Sequence, residues 1–143
     1  MAQNMMTKPG PKPATQTNCK TMECMPAVEY FSAKCSYELS PMALKGMMDQ
    51  NALKDVCLVD VRSIDAYKQC HISMALCIPL NELAAKMDTL PKDKMVVAYC
   101  GGMTCGLAAK ACMEFAMKGY KVMELIGGMD CWNEMGLPVD KKA

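Results

Sequence analysis

The stretch that decides the fold is Met95-Val96-Val97-Ala98-Tyr99, followed by Cys100-Gly101-Gly102-Met103-Thr104-Cys105, then Gly106 to Lys118, then Gly119. Five residues in a row without alternating polarity read as a strand covered on both faces, the situation of a parallel sheet. Gly106 to Lys118 reads as a helix, because Leu107, Ala108, Ala111, Cys112 and Phe115 fall along one face. Met113 and Met117, four residues apart, are expected to pack as well, and Tyr99 is assigned to the core. Gly119 stands where a terminating glycine after the helix belongs. Strand, tight loop and helix together form the repeating unit of an α/β sheet.

The same pattern extends outward from this unit. Ser40-Pro41 opens a helix, with Ser as cap and Pro at the first helical position, and Leu44, Met47 and Met48 form its apolar stripe. Val56 to Val61 is a second continuous apolar strand. Ser63 to Gln69 predicts one or two helical turns. Ala75 to Leu80 predicts a short strand stopped at Pro79, and Asn81 to Met87 a short helix. Leu90 to Lys94 is a turn. Tyr120 to Leu125 predicts a strand, Gly127-Gly128 a tight loop, and Met129 to Met135 a short helix carrying Trp132, which is also assigned to the core. Strands alternating with helices predict an α/β fold: a mainly parallel central sheet with helices on both faces. Residues 1–26, with four prolines and no period, are expected to be a flexible tail carrying Cys19 and Cys24; residues 27–143 are the expected domain.

Composition narrows the functional classes. The chain has 143 residues, enough for one domain, and 52% are apolar. Sixteen basic residues against fifteen acidic leave a net charge of +1. That balance argues against a nucleic-acid binder, which needs surplus cations. No apolar run approaches the roughly 20 residues that span a bilayer, and the N-terminus lacks the apolar core of a secretory signal. A cytoplasmic protein with neither nucleic acid nor membrane as partner is expected. The ten cysteines include no CxxC pair, and the chain has a single histidine, which excludes a zinc finger. Seventeen methionines read as core filler. A soft-metal carrier ranks behind the other functional readings because the thiols lack ligand spacing. No metal and no cofactor are expected.

Sites in open α/β sheets lie beyond the carboxyl ends of the strands, and Cys100 stands there. Amides of a tight loop converge as an anion nest, and the following helix adds its positive end. Both lower a thiol's pKa, and the thiolate is the nucleophile. Cys100 is therefore the expected catalytic residue. Gly101, Gly102, Met103, Thr104, Cys105 and Gly106 are the expected substrate-binding loop, the two glycines admitting close approach. The competing reading is a small hydrophobe buried at a strand end.

Several segments together resemble a rhodanese domain, a single-domain sulfurtransferase. Leu58-Val59-Asp60-Val61-Arg62-Ser63 is similar to that family's opening strand and Asp-x-Arg signature. Cys70-His71-Ile72-Ser73-Met74-Ala75 resembles its Gly-His-Ile-Pro-Gly-Ala segment, with Gly, Pro and Gly replaced. Val96 to Cys100 resembles the strand that ends in the catalytic cysteine. Gly119 to Leu125, Gly127-Gly128, Trp132 and Gly136-Leu137-Pro138-Val139 resemble the closing motifs, all in the family's order. The resemblance implies that Cys100 attacks the outer sulfur of a donor, holds it as a persulfide and passes it to a thiol or cyanide, with ping-pong kinetics and no metal or organic cofactor. The partners would be a small-molecule or protein sulfur donor and a thiol acceptor.

The departures sharpen the expectation. Many family members carry a basic residue, often Arg, where this chain has Cys105, and Gly101 to Cys105 holds no charge. Losing a bidentate partner costs a dianionic donor about 1.5–3 kcal/mol. Weak use of thiosulfate is expected, with a persulfide as the better donor. A related phosphatase or arsenate-reductase activity would need an arginine closing the loop. The only arginine, Arg62, belongs to another strand end, where the resemblance makes it a partner of Asp60 or of a surrounding carboxylate, with a structural ion pair of Asp60 and Arg62 expected. His71 is expected in a structural turn. Cys105 is either a resolving thiol for an oxidised or persulfidated Cys100, or an inert residue at the helix start. The alternative at the level of function is a non-catalytic or redox-regulatory binding module on the same fold.

Overall fold

The structure is a computed structural model that describes residues 26–142. The expectation for the tail therefore lies, apart from Pro26, outside the described residues. The chain begins with helix α1 (Ala27–Tyr37), none of whose residues is buried, and strand β1 (Glu38–Leu39). Helix α2 (Pro41–Asp49) starts as its sequence predicts: the Ser40 side chain accepts the Ala43 amide. Strand β2 (Val56–Asp60) leads to helix α3 (Ile64–Gln69), capped in the same way by Ser63. Strands β3 (His71–Ile72) and β4 (Leu76–Cys77) precede the short helix α4 (Leu83–Lys86). Then come strand β5 (Met95–Tyr99), helix α5 (Leu107–Met117), strand β6 (Lys121–Leu125), helix α6 (Gly128–Glu134) and strand β7 (Val139–Asp140).

The main sheet has the order β1-β6-β5-β2-β4, and every pairing in it is parallel. β3 and β7 form a separate antiparallel pair. Side chains alternate across the sheet, so each strand feeds two cores. Val59, Val61, Val96, Ala98 and Cys100 face α5, meeting Ala108, Ala111 and Phe115. Leu58, Val97 and Tyr99 face the other way, against Leu44 of α2 and Met129 and Trp132 of α6. The helices do cover both faces, as the sequence predicts.

Some local expectations give way. The predicted strand 75–80 shortens to Leu76–Cys77 because Pro79 has no amide to continue the ladder. Ile78 and Leu80 nonetheless still donate to the carbonyls of Asp60 and Val61. The predicted helix 81–87 is instead a 3-10 turn at Leu80–Glu82, then α4, then a second 3-10 turn at Met87–Thr89. Met113 and Met117 do not pack: they are 55% and 79% exposed on the outer side of α5. Among the described residues no helix is long and apolar enough to cross a membrane.

Candidate functional site

Strand parity sets where the thiol of Cys100 goes. It continues the row of Val96 and Ala98 and so points to the α5 side. The chain then turns tightly, closed by the Cys105 amide on the Gly102 carbonyl at 3.0 Å, and enters α5. The loop's carbonyls are held from outside. Met129 and Asp130, in the first turn of α6, donate to the carbonyls of Cys100 and Gly101 at 2.9 and 2.8 Å. A trans peptide points its N–H away from its carbonyl. Tying those carbonyls to α6 therefore leaves the Gly101 amide facing inward, where it donates to the Cys105 sulfur.

The two sulfurs share this cradle. The Ala108 amide donates to Cys100 and the Leu107 amide to Cys105, both from the first turn of α5. The Cys100 thiol lies 3.1 Å from the Cys105 carbonyl oxygen and also hydrogen-bonds the Cys105 sulfur. The predicted ring of amides is therefore present, but the predicted charge is not on Cys100. That residue is 3% exposed, and burial, together with its hydrogen bond to Cys105, pushes its pKa up to about 11. Burial also acts on Cys105. There the hydrogen bonds from Cys100, Leu107 and Gly101 outweigh it and bring the pKa below the ordinary thiol value. Of the two thiols, the one with more donors and more solvent, Cys105, is the one whose pKa is lowered.

Cys100, Gly102, Met103 and Cys105 line a cavity of about 180 Å³, and Lys34, Glu38, Glu124 and the Leu125–Gly128 turn complete it. Gly101, Thr104 and Gly106, which the sequence also placed in the substrate-binding loop, are not among its lining residues. The charged wall was not anticipated. Parallel pairing of β1 with β6 sets Glu38 beside Glu124, and Lys34 reaches Glu38 from the last turn of α1. Burial, then the neighbouring Glu38, raise the Glu124 pKa. Glu124 carried a sequence signal: it is the one charge inside the apolar run Val122 to Leu125, in register with Ala98 just before Cys100.

Asp60 and Arg62 lie elsewhere. Asp60 is in register with Tyr99, on the α2–α6 face of the sheet, opposite Cys100. Arg62 donates to the Asp60 carboxylate at 2.7, 3.0 and 3.2 Å and to the Cys70 carbonyl at 2.6 Å. Asp60 is fully buried. His71 is buried in the β3 turn, stacked on Tyr67, its Nδ1 2.8 Å from the Tyr67 carbonyl. Neither Asp60, Arg62 nor His71 lines the cavity. Among the described residues no group of three or more His, Cys, Asp or Glu side chains could hold a metal ion.

The family model described as Rhodanese-like domain matches residues 40–135. A protein named Sulfurtransferase from Allochromatium vinosum is 36% identical over 87 residues, covering 60% of this chain and 79% of that protein. The HTH-type transcriptional regulator Rv0324 from Mycobacterium tuberculosis is 42% identical over 89 residues; the match covers 62% of this chain but only 39% of the regulator. Among solved structures, the BH2092 protein from Bacillus halodurans superposes with a TM-score of 0.74 at 35% identity, covering 80% of this chain and 84% of that one.

Proposed function

Because the chain belongs to the rhodanese-like domain family, we propose that it is a sulfurtransferase that carries sulfane sulfur as a persulfide on Cys100. The observation that supports this most is the position of Cys100. It directly follows the central strand β5, lines a cavity and has the Ala108 amide on its sulfur. A terminal persulfide sulfur is an anion at neutral pH, and inward-facing amides stabilise it without a counter-ion.

Cys100 gives up its proton to solvent, and its thiolate attacks the outer sulfur of the donor. The donor's sulfur–sulfur bond breaks, and its remaining fragment leaves as a thiolate. A thiol acceptor then attacks the outer sulfur of the Cys100 persulfide and carries it away.

Two carboxylates, Glu38 and Glu124, face one ammonium, Lys34, on the cavity wall, and the loop itself is uncharged. One unpaired negative charge in a cavity of this size repels a second by on the order of 2 kcal/mol. The donor is therefore a persulfide, which brings at most one negative charge at its reacting end, rather than thiosulfate, which brings two. Burial of Cys100 is also what a non-catalytic binding module would have, and one assay separates the two. Cyanide treatment of Cys105→Ser protein loaded with glutathione persulfide, in which the second loop thiol cannot take the sulfur away, releases thiocyanate from a sulfurtransferase, and from the protein with Cys100→Ser added it releases none. Equal thiocyanate from both proteins, or none from either, refutes the assignment.

A further inference from the structure

We propose that Cys105 is a resolving nucleophile that converts the Cys100 persulfide into free hydrosulfide and a Cys100–Cys105 disulfide. This adds a persulfide-reducing activity to sulfur transfer, and it rests on Cys100 carrying the persulfide. Three features of the loop support it. The turn closed by Cys105 N–H on Gly102 brings the residue back against Cys100, whose thiol donates to the Cys105 carbonyl at 3.1 Å. Both residues line the same cavity, and both are free thiols. Hydrogen bonds from Cys100 and from the amides of Leu107 and Gly101 lower the pKa of the Cys105 thiol and so favour its thiolate, the form that attacks.

The step balances within the chain. The Cys105 thiolate attacks the inner sulfur, Sγ of Cys100. A bond forms between the two cysteine sulfurs, and the bond from Cys100 Sγ to the outer sulfur breaks. The electron pair of that bond leaves with the outer sulfur, which keeps its hydrogen and departs as hydrosulfide. The sulfane sulfur is reduced by two electrons, and the two cysteines are oxidised to a disulfide. A dithiol, small or borne by a redoxin-type protein, returns the disulfide to two thiols. With an external thiol in excess, transfer from the persulfide competes with this closure. The ratio of hydrosulfide to transferred sulfur then reports how the loop partitions.

The experiment loads wild-type protein and Cys105→Ser with one equivalent of glutathione persulfide and removes small molecules. It then follows intact mass without reductant, together with hydrosulfide in solution. Serine keeps the size and hydrogen bonding of the cradle but cannot form the disulfide. The expected wild-type course is a transient gain of one sulfur, then a form two hydrogens lighter than the starting protein with one hydrosulfide released per chain. Peptide mapping then joins Cys100 to Cys105. Cys105→Ser is expected to hold its added sulfur and release no hydrosulfide. If wild type holds the added sulfur as long as Cys105→Ser does, the resolving role is overturned while sulfur transfer stands. If neither protein gains sulfur or releases hydrosulfide, the persulfide reading itself fails, and the resolving role with it.

Discussion

Replacing Gly128 with alanine tests whether α6 shapes the sulfur loop. Gly128 has φ +54°, and a Cβ there would lie 2.4 Å from the Cys100 carbonyl oxygen and 3.0 Å from both the Cys100 carbonyl carbon and the Gly101 oxygen. The left-handed backbone costs alanine about 1–2 kcal/mol. Overpacking against a backbone that cannot swing aside adds about 1–3 kcal/mol. The sum, about 2–5 kcal/mol, is a large part of the 5–15 kcal/mol typical of a domain. Relief requires the Cys100 carbonyl to retreat by about 1 Å, from 2.4 Å to the ordinary contact distance of 3.4 Å. Displacement on that scale can cost about 100-fold in rate. Gly119→Ala is the control: Gly119 has φ +86°, but its Cβ would meet nothing within 4 Å. It should lose only the backbone term, about 1–2 kcal/mol, and keep its rate. Urea denaturation gives the stabilities, and the rate of sulfur loading from glutathione persulfide gives the function. Equal stability losses in the two variants, with loading unchanged in both, would refute the close approach of α6 to the loop.

Asp60→Ala leaves the Arg62 guanidinium, 15% exposed in its side chain, without its carboxylate. It should cost about 3–5 kcal/mol by denaturation while the folded fraction still loads sulfur, because the pair lies on the face of the sheet opposite Cys100. Glu124→Gln removes a carboxylate from the cavity wall. Steady-state kinetics should show kcat/KM for thiosulfate rising about 10-fold or more relative to that for glutathione persulfide; an unchanged ratio contradicts the electrostatic exclusion of dianions. Burial raises the thiols of Cys112 and Cys100 from 9.0 to about 12 and about 11. A pKa raised by folding means stability that is complete below pH 9 and lost as pH climbs through the folded values. The melting temperature should therefore fall between pH 9 and 12, and less steeply in Cys112→Ala; a flat profile over that range refutes the burial of these thiols.

The parts of the fold written in neighbouring residues were legible. Ser40 and Ser63 cap their helices as read, and Gly119 ends α5 with φ +86°. The uninterrupted runs at Val56 and Met95 became the two central strands, and Cys100 stands where strand order and parity put it. Helix α1 was not legible because it buries nothing and so leaves no apolar stripe. The cavity wall was hidden for a different reason. Glu38 and Glu124 meet only through the pairing of β1 with β6, across most of the chain. The upward shift of the Cys100 pKa is not visible in the sequence, because amides and helix ends are the local signals and they act in the opposite direction. Burial and the competing sulfur of Cys105 exist only once the chain has folded.

The most direct measurement is peptide-resolved mass spectrometry of the Cys105→Ser protein after loading with glutathione persulfide, with thiols blocked by alkylation immediately afterwards. Cys105→Ser is used so that an added sulfur cannot be lost through closure of the loop. The expected result is one extra sulfur on the peptide containing Cys100, absent when Cys100 is also changed to Ser. Sulfur spread over Cys112, Cys131 and the other thiols, or none on Cys100, would contradict the account.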